Sequence, residues 1–202
     1  MDKAKIRLSA KEAELVANAD WILTKNVVLQ KVKYMLEELQ AEQQNFLRAN
    51  PGILPAEVIA IPPKISRGEN YKGLPYLVLD YPRYFGKDDH LAIRSMFWWG
   101  NFFSSTLHLT GVYKKMYETK IESSFSSLKE NSFFIGAGND QWEHHFETNN
   151  YLSLKEMTDT GFKSFTSNKE FIKLAKKIPL EQWNDSGDTL FASFCQMIRW
   201  LN

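Results

Sequence analysis

Apolar positions recur at helical spacing along the first quarter of the chain, then at strand spacing, then at helical spacing again. Ser9 followed by Glu12 has the form of a capping box, in which the serine accepts a backbone amide and the glutamate reaches back. It opens a helix predicted to run to about Leu23. A second helix is predicted from about Asn26 to Arg48, because Val28, Val32, Met35, Leu39 and Phe46 share one stripe. Asn50-Pro51-Gly52 ends it, and a short break near Thr24-Lys25 makes the two segments a hairpin of helices.

From Ile53 the pattern changes. "EVIAIPPKIS" reads as a short edge strand interrupted by Pro62-Pro63, and "SRGENYKGLP" as a turn-rich loop. Three runs follow, "YLVLDYPRYF", "HLAIRSMFWW" and "FFSSTLHLTG", dense in aliphatic and aromatic side chains. Gly100-Asn101 between the last two is a two-residue hairpin signal. In that register Trp99 faces Phe102, Trp98 faces Phe103, Arg94 faces Leu107 and Ile93 faces His108. Aromatic cross-strand pairs of this kind help to hold a register.

"GVYKKMYETKIESSFSSLKE" reads as helical, whereas "SFFIGAG" and "QWEHHFE" return to strand composition. The remaining third is predicted helical, with possible capping boxes at Ser153/Glu156 and Ser167/Glu170. Its last helix is capped by Asp188 and buries Leu190, Phe191, Phe194, Met197, Ile198 and Leu201. No internal repeat or Gly/Ser linker divides the chain. The expectation is one α+β domain over 1-202: an N-terminal helical hairpin, a central antiparallel β-meander, and C-terminal helices packed on the sheet.

Composition refines this picture in two ways. The 14% aromatic share, with six tryptophans among 202 residues, supplies an aromatic core or a ring-lined pocket. Formal charge is only +1, and the densest basic spots, Lys114-Lys115 and Lys173/Lys176/Lys177, read as solvated helix faces. That is not the electrostatic footprint of a nucleic-acid binder. Cys195 is the one cysteine and falls in an apolar helical pattern, where a buried inert thiol is expected. The start lacks the apolar core of a signal peptide, and no run approaches the roughly 20 apolar residues of a membrane span. A cytoplasmic chain with no membrane partner is expected.

The segment "RGENYKGLPYLVLDYPRYF", followed by "HLAIRSMFWW", resembles the YktB-like family of uncharacterised bacterial proteins. That family has an Arg-Gly-Tyr-Lys stretch leading into a Leu-Pro-His strand and then an aromatic strand. Here two extra residues split Arg67-Gly68 from Tyr71-Lys72, and Tyr76 stands in the place of the histidine. The resemblance covers about a fifth of the chain. It implies an α+β fold and no reaction.

Two stretches carry candidate chemistry. "GNDQWEHHFETNNY" contains two adjacent histidines and several carboxylates. Read as a strand, it places Trp142, His144 and Phe146 on one face and Glu143, His145 and Glu147 on the other. The outer pair would be about 13 Å apart, so at most two of the three could reach one metal ion. Glu143 and His145 are the metal candidates. Read as a helix, Asp140, Glu143, His144 and Glu147 would share a face.

The second stretch is the meander, where Arg94 falls on a face that also carries Met96, Trp98, Leu107 and Leu109. A buried guanidinium needs a carboxylate partner, and Asp80 on the preceding strand is placed to supply one. The structural alternative is an Arg–Asp pair with no ligand. The functional reading is an aromatic-lined pocket in which Arg94, His108, Asp80, Tyr76 and Ser105 hold a small polar or anionic ligand. A protein–protein or homo-oligomeric module built on Trp98, Trp99, Phe102 and Phe103 is the alternative, and a metal-dependent enzyme the third. No dinucleotide fingerprint, phosphate loop or nucleophile elbow occurs, so no cofactor is expected.

Overall fold

The computed structural model describes residues 6–202. The N-terminal region is helical: α1 (Ala10–Ala17), α2 (Ala19–Ala49) and a short α3 (Ala56–Ile59). The Ser9–Glu12 capping box forms, with both of its hydrogen bonds present. The break between the first two helices falls at Asn18, not at Thr24-Lys25, because the Asn18 side chain caps α2 by accepting from the Trp21 amide. The stretch read as an edge strand at 57–66 begins instead as α3, and Pro62-Pro63 separate it from the sheet.

Seven strands form one antiparallel sheet: β1 (Lys64–Tyr71), β2 (Leu74–Phe85), β3 (His90–Trp98), β4 (Phe102–Thr110), β5 (Phe134–Gly136), β6 (Tyr151–Ser153) and β7 (Phe171–Pro179). Their order is β1-β2-β3-β4-β7-β5-β6, so the meander continues into a strand from the C-terminal third. The stretch 66–71, read as a loop, pairs with β2 through most of its length. Gly68 is needed there because Tyr76 lies across it; a Cβ would meet the Tyr76 ring at 2.3 Å.

The β3–β4 hairpin forms where expected, but one step out of the predicted register. Trp98 pairs with Phe102, Phe97 with Phe103, Arg94 with Thr106 and Ala92 with His108. Trp99 joins Gly100 and Asn101 in the connection, Gly100 takes φ +70°, and Asn101 N–H bonds back to the Trp98 carbonyl. Because side chains alternate along a strand, this single step moves every β4 residue to the other face relative to β3.

Between β4 and β5 lie α4 (Gly111–Ser123) and α5 (Phe125–Glu130); α6 (Asp159–Ser167) precedes β7, and α7 (Ser186–Leu201) ends the chain. Asp185 occupies the N-cap position of α7, with Asp188 in its first turn, and the expected buried face forms apart from a half-buried Phe191. Ser167 ends α6 rather than opening a helix, while Ser153 opens one short 3-10 turn. The architecture is α+β, with the helices gathered on one sheet face. There Leu36 and Leu39 of α2 and Phe194 and Ile198 of α7 pack on Ile93, Phe97, Phe103 and Leu107. Each such ring or branched chain withdrawn from water stabilises the fold by about 1.5–3 kcal/mol before entropy is counted. No helix among the described residues is long and apolar enough to cross a membrane.

Candidate functional site

Among the described residues the opposite sheet face carries no helix. Its lower half is a small apolar cluster of Val78, Met96, Trp98 and Phe102, closed by Phe146. Its upper half is polar and is covered by residues 137–150, which form turns rather than the expected strand. Strand pairing requires neighbouring strands in line, and β6 starts only at Tyr151; the segment crosses the sheet face instead of joining its edge.

Under that cover the strand register assembles the site. Asp80, Arg94 and Thr106 are successive cross-strand neighbours on β2, β3 and β4, and two residues along, on the same face, Ala92, His108 and Lys173 are neighbours on β3, β4 and β7. Arg94 Nε and Nη2 donate to the two Asp80 carboxylate oxygens at 2.7 and 2.9 Å. This is a bidentate, charge-assisted pair. Arg94 Nη1 lies 2.9 Å from His144 Nε2. A guanidinium can only donate, so His144 Nε2 accepts and its proton sits on Nδ1. His108 Nε2 bonds Gln141 Oε1 at 2.8 Å.

Lys173 is the residue that the sequence reading placed on a solvated helix and the structure places inside. It belongs to β7, is 2% exposed, and its ammonium donates to the Glu143 carbonyl oxygen while lying 5.1 Å from the centre of the Tyr151 ring. Lys176 and Lys177 are on the same strand, not on a helix. The alternation of Ile172, Leu174 and Ile178 into the helix-covered core, ended by Pro179, is the signal that could have revealed the strand.

Electrostatics follow from burial and from the crowding of cations. Burial and then the Lys173 charge push His108 down to about 3, only partly offset by its bond to Gln141. Burial, Lys173 and Arg94 together hold His144 well below the usual histidine range. Burial and then Arg94 lower Lys173 to about 8, against the pull of Asp140 and Glu143. Burial is the largest single influence on Arg94 and works against its charge, but the Asp80 hydrogen bond and the Asp80 charge act together against it and the guanidinium pKa is raised. At neutral pH the site therefore holds two cations, two neutral imidazoles and one buried carboxylate.

The cleft between these groups is lined by Phe85, Ala92, Arg94, Thr106, His108, Gln141, Trp142, His144 and Lys173, and its volume is about 10 Å³. That is room for one water-sized group. Beyond Gln141 lies an open pocket of about 250 Å³ bounded by His90, Thr110, Gly111, Glu170 and Phe171. Gln141 lines both, and the Trp142 ring on the cleft side lies 5.3 Å from His108 and 5.5 Å from His90.

The expected site residues divide in three. Arg94, Asp80 and His108 converge, and the one-step register shift is what brings His108 onto the Arg94 face. Ser105 is on the other face, where its hydroxyl meets Met197 of α7 at 3.8 Å. Tyr76 shares the Arg94 face but lies beside Trp98, four residues along β2 from Asp80, and packs on Tyr71. The expected aromatic anchor patch is not at the surface: Trp98, Phe102 and Phe103 are buried, and Trp99 packs against Phe97 and Trp21.

Glu143 and His145 do come together, with Glu147 beside them. His145 Nε2 is 3.4 Å from a Glu143 oxygen and Nδ1 is 3.6 Å from a Glu147 oxygen. The two ring nitrogens point apart, so the carboxylates lie on opposite sides of the imidazole and share no point with it. Among the described residues no group of three or more His, Cys, Asp or Glu could hold a metal ion. Tyr71 pins this segment to the sheet: its hydroxyl donates to Glu143 Oε2 at 2.7 Å and accepts the His144 and His145 amides at 2.7 and 3.1 Å. No family model, curated protein or solved structure matches the chain.

Proposed function

We propose that this protein binds a small anion, a carboxylate or an inorganic oxyanion, between Arg94 and Lys173, with residues 137–150 acting as the cover. The observation that carries the reading is the charge imbalance: the buried Lys173 and the partly exposed Arg94 face one cleft whose buried carboxylate, Asp80, is fully engaged by Arg94. Keeping Lys173 charged there is costly, and an anion would offset the cost. Arg94 Nη1 and Lys173 Nζ are the two donors that such a ligand would take over, from His144 and from the Glu143 carbonyl respectively.

The closed cleft admits little more than a water molecule, so anything larger enters when the cover lifts. Its contacts suit that role. Residues 137–150 are held by polar bonds to Tyr71, Lys169, Lys173, Arg94 and His108, and long segments without helix or strand are commonly functional. Phe85 and Trp142 give the cleft its aromatic wall.

The test is a thermal-shift and calorimetric screen of acetate, phosphate and sulfate against chloride at constant ionic strength. Saturable stabilisation by one of the oxyanions, absent in Lys173→Met, is the expected result. Equal responses to all salts in both proteins would end the reading.

A further inference from the structure

The N-terminal helices hold a second feature unrelated to the cleft. Every described residue from Ile6 to Thr24 is exposed, although α1 and the start of α2 are rich in apolar side chains. In α2 the apolar residues form two stripes. Leu29, Val32, Leu36 and Leu39 are buried against the sheet. Leu23, Val27 and Tyr34, exposed by 60%, 56% and 58%, lie within about 40° of one another and about 180° from the buried stripe, at 3.6 residues per turn. A helix apolar on two opposite faces is a helix packed on both sides.

The outer stripe also has the spacing of a coiled-coil seam. With Val27 and Tyr34 at first-core (a) positions, Leu23 is at a fourth-core (d) position, and the two polar members of the seam are Asp20 at a and Gln30 at d. Positions 20, 23, 27 and 30 are palindromic about residue 25, with Tyr34 beyond them toward the C-terminus. In an antiparallel pair of identical helices, where a meets d, Leu23 of each copy meets Val27 of the other and Asp20 meets Gln30. The Asp20 carboxylate then accepts from the Gln30 amide and lies beside Lys31 of the other copy. A parallel pair would instead set Asp20 against Asp20. Neither Asp20 nor Lys31 takes part in an ion pair among the described residues.

From the opposed stripes and this charge complementarity we infer that the occupant of the outer face is a second copy of this chain, joined through antiparallel α2 helices crossing near Lys25. The Lys25 side chain itself turns away from the seam to pair with Glu69 at 2.7 Å, which leaves the crossing point free of like charge. The neutral mixture of Arg7, Lys11, Glu12, Glu14, Asp20 and Lys25 along the arm fits a protein partner rather than an anionic lipid surface, which selects basic helices.

Sedimentation of the full chain over a wide concentration range is the first test, with a dimer expected and its loss expected in Val27→Glu, whose exposed position leaves folding intact by circular dichroism. Cross-linking in a Cys195→Ser background is the second. Mixing Asp20→Cys protein with Gln30→Cys protein under mild oxidation should give a covalent heterodimer, whereas Asp20→Cys alone should not cross-link. A wild-type monomer at all concentrations, a dimer indifferent to Val27→Glu, or self-cross-linking of Asp20→Cys would each overturn the inference.

Discussion

Replacing Lys173 with methionine should stabilise this protein at pH 7 while abolishing anion binding. The lysine is 2% exposed on the central strand β7, and its pKa falls from 10.5 to about 8 through burial and the Arg94 charge. At about 1.4 kcal/mol per unit, holding the ammonium there costs about 3 kcal/mol. Methionine has nearly the same length, carries no charge, and forfeits the bond to the Glu143 carbonyl, worth about 2 kcal/mol for a charged donor. The net gain is about 1 kcal/mol at pH 7. Its pH dependence is the sharper test. Below the folded value of about 8 both states are protonated and the penalty is complete; between there and 10.5 the unfolded chain holds the proton that the native protein has lost. The stability difference should therefore shift against Lys173→Met by roughly 2–3 kcal/mol between pH 7 and pH 10, turning its advantage into a deficit. Urea denaturation of both proteins at the two pH values measures it. A methionine variant that is less stable at pH 7, with a difference independent of pH, would refute the argument that Lys173 is a buried charge kept at a cost.

Further consequences follow from the same geometry. Asp80→Asn leaves the Arg94 guanidinium without its carboxylate and should destabilise by about 2–3 kcal/mol in urea, less than a fully buried pair because 24% of the Arg94 side chain is exposed; a change under about half a kcal/mol would mean the pair is effectively solvated. Tyr71→Phe removes the hydroxyl that holds Glu143 and the His144 and His145 amides, so hydrogen exchange should accelerate across 140–147 with no change in the core strands. Uniform acceleration would contradict a locally latched cover. Anion affinity should be flat between pH 6 and 7, because His108 and His144 stay neutral there, and should decline as Lys173 loses its proton above about 8. Affinity that climbs through the ordinary histidine range would assign the binding to protonated imidazoles.

The helices, the three central strands and the α+β arrangement were legible because their signals are local: a capping box at Ser9, a stripe in α2 and α7, alternation through the meander. What failed depended on one residue or on distant partners. Trp99 reads as the last residue of a strand, yet it joins the turn, and that single position decides whether His108 or Ser105 shares a face with Arg94. "EFIKLAKKIP" carries three lysines that suit a helix surface. Only the covering segment, supplied from 137–150, makes a buried place for Lys173. "QWEHHFE" has the alternation of a strand but pairs with none, and its Trp142, His144 and Phe146 close over the sheet face instead.

The most direct measurement is an NMR titration of the Lys173 amine, with and without saturating phosphate. An apparent pKa near 8 is expected in the free protein, with a clear rise when the anion is present. A Lys173 that titrates at the ordinary lysine value, or one that phosphate does not move, would contradict it.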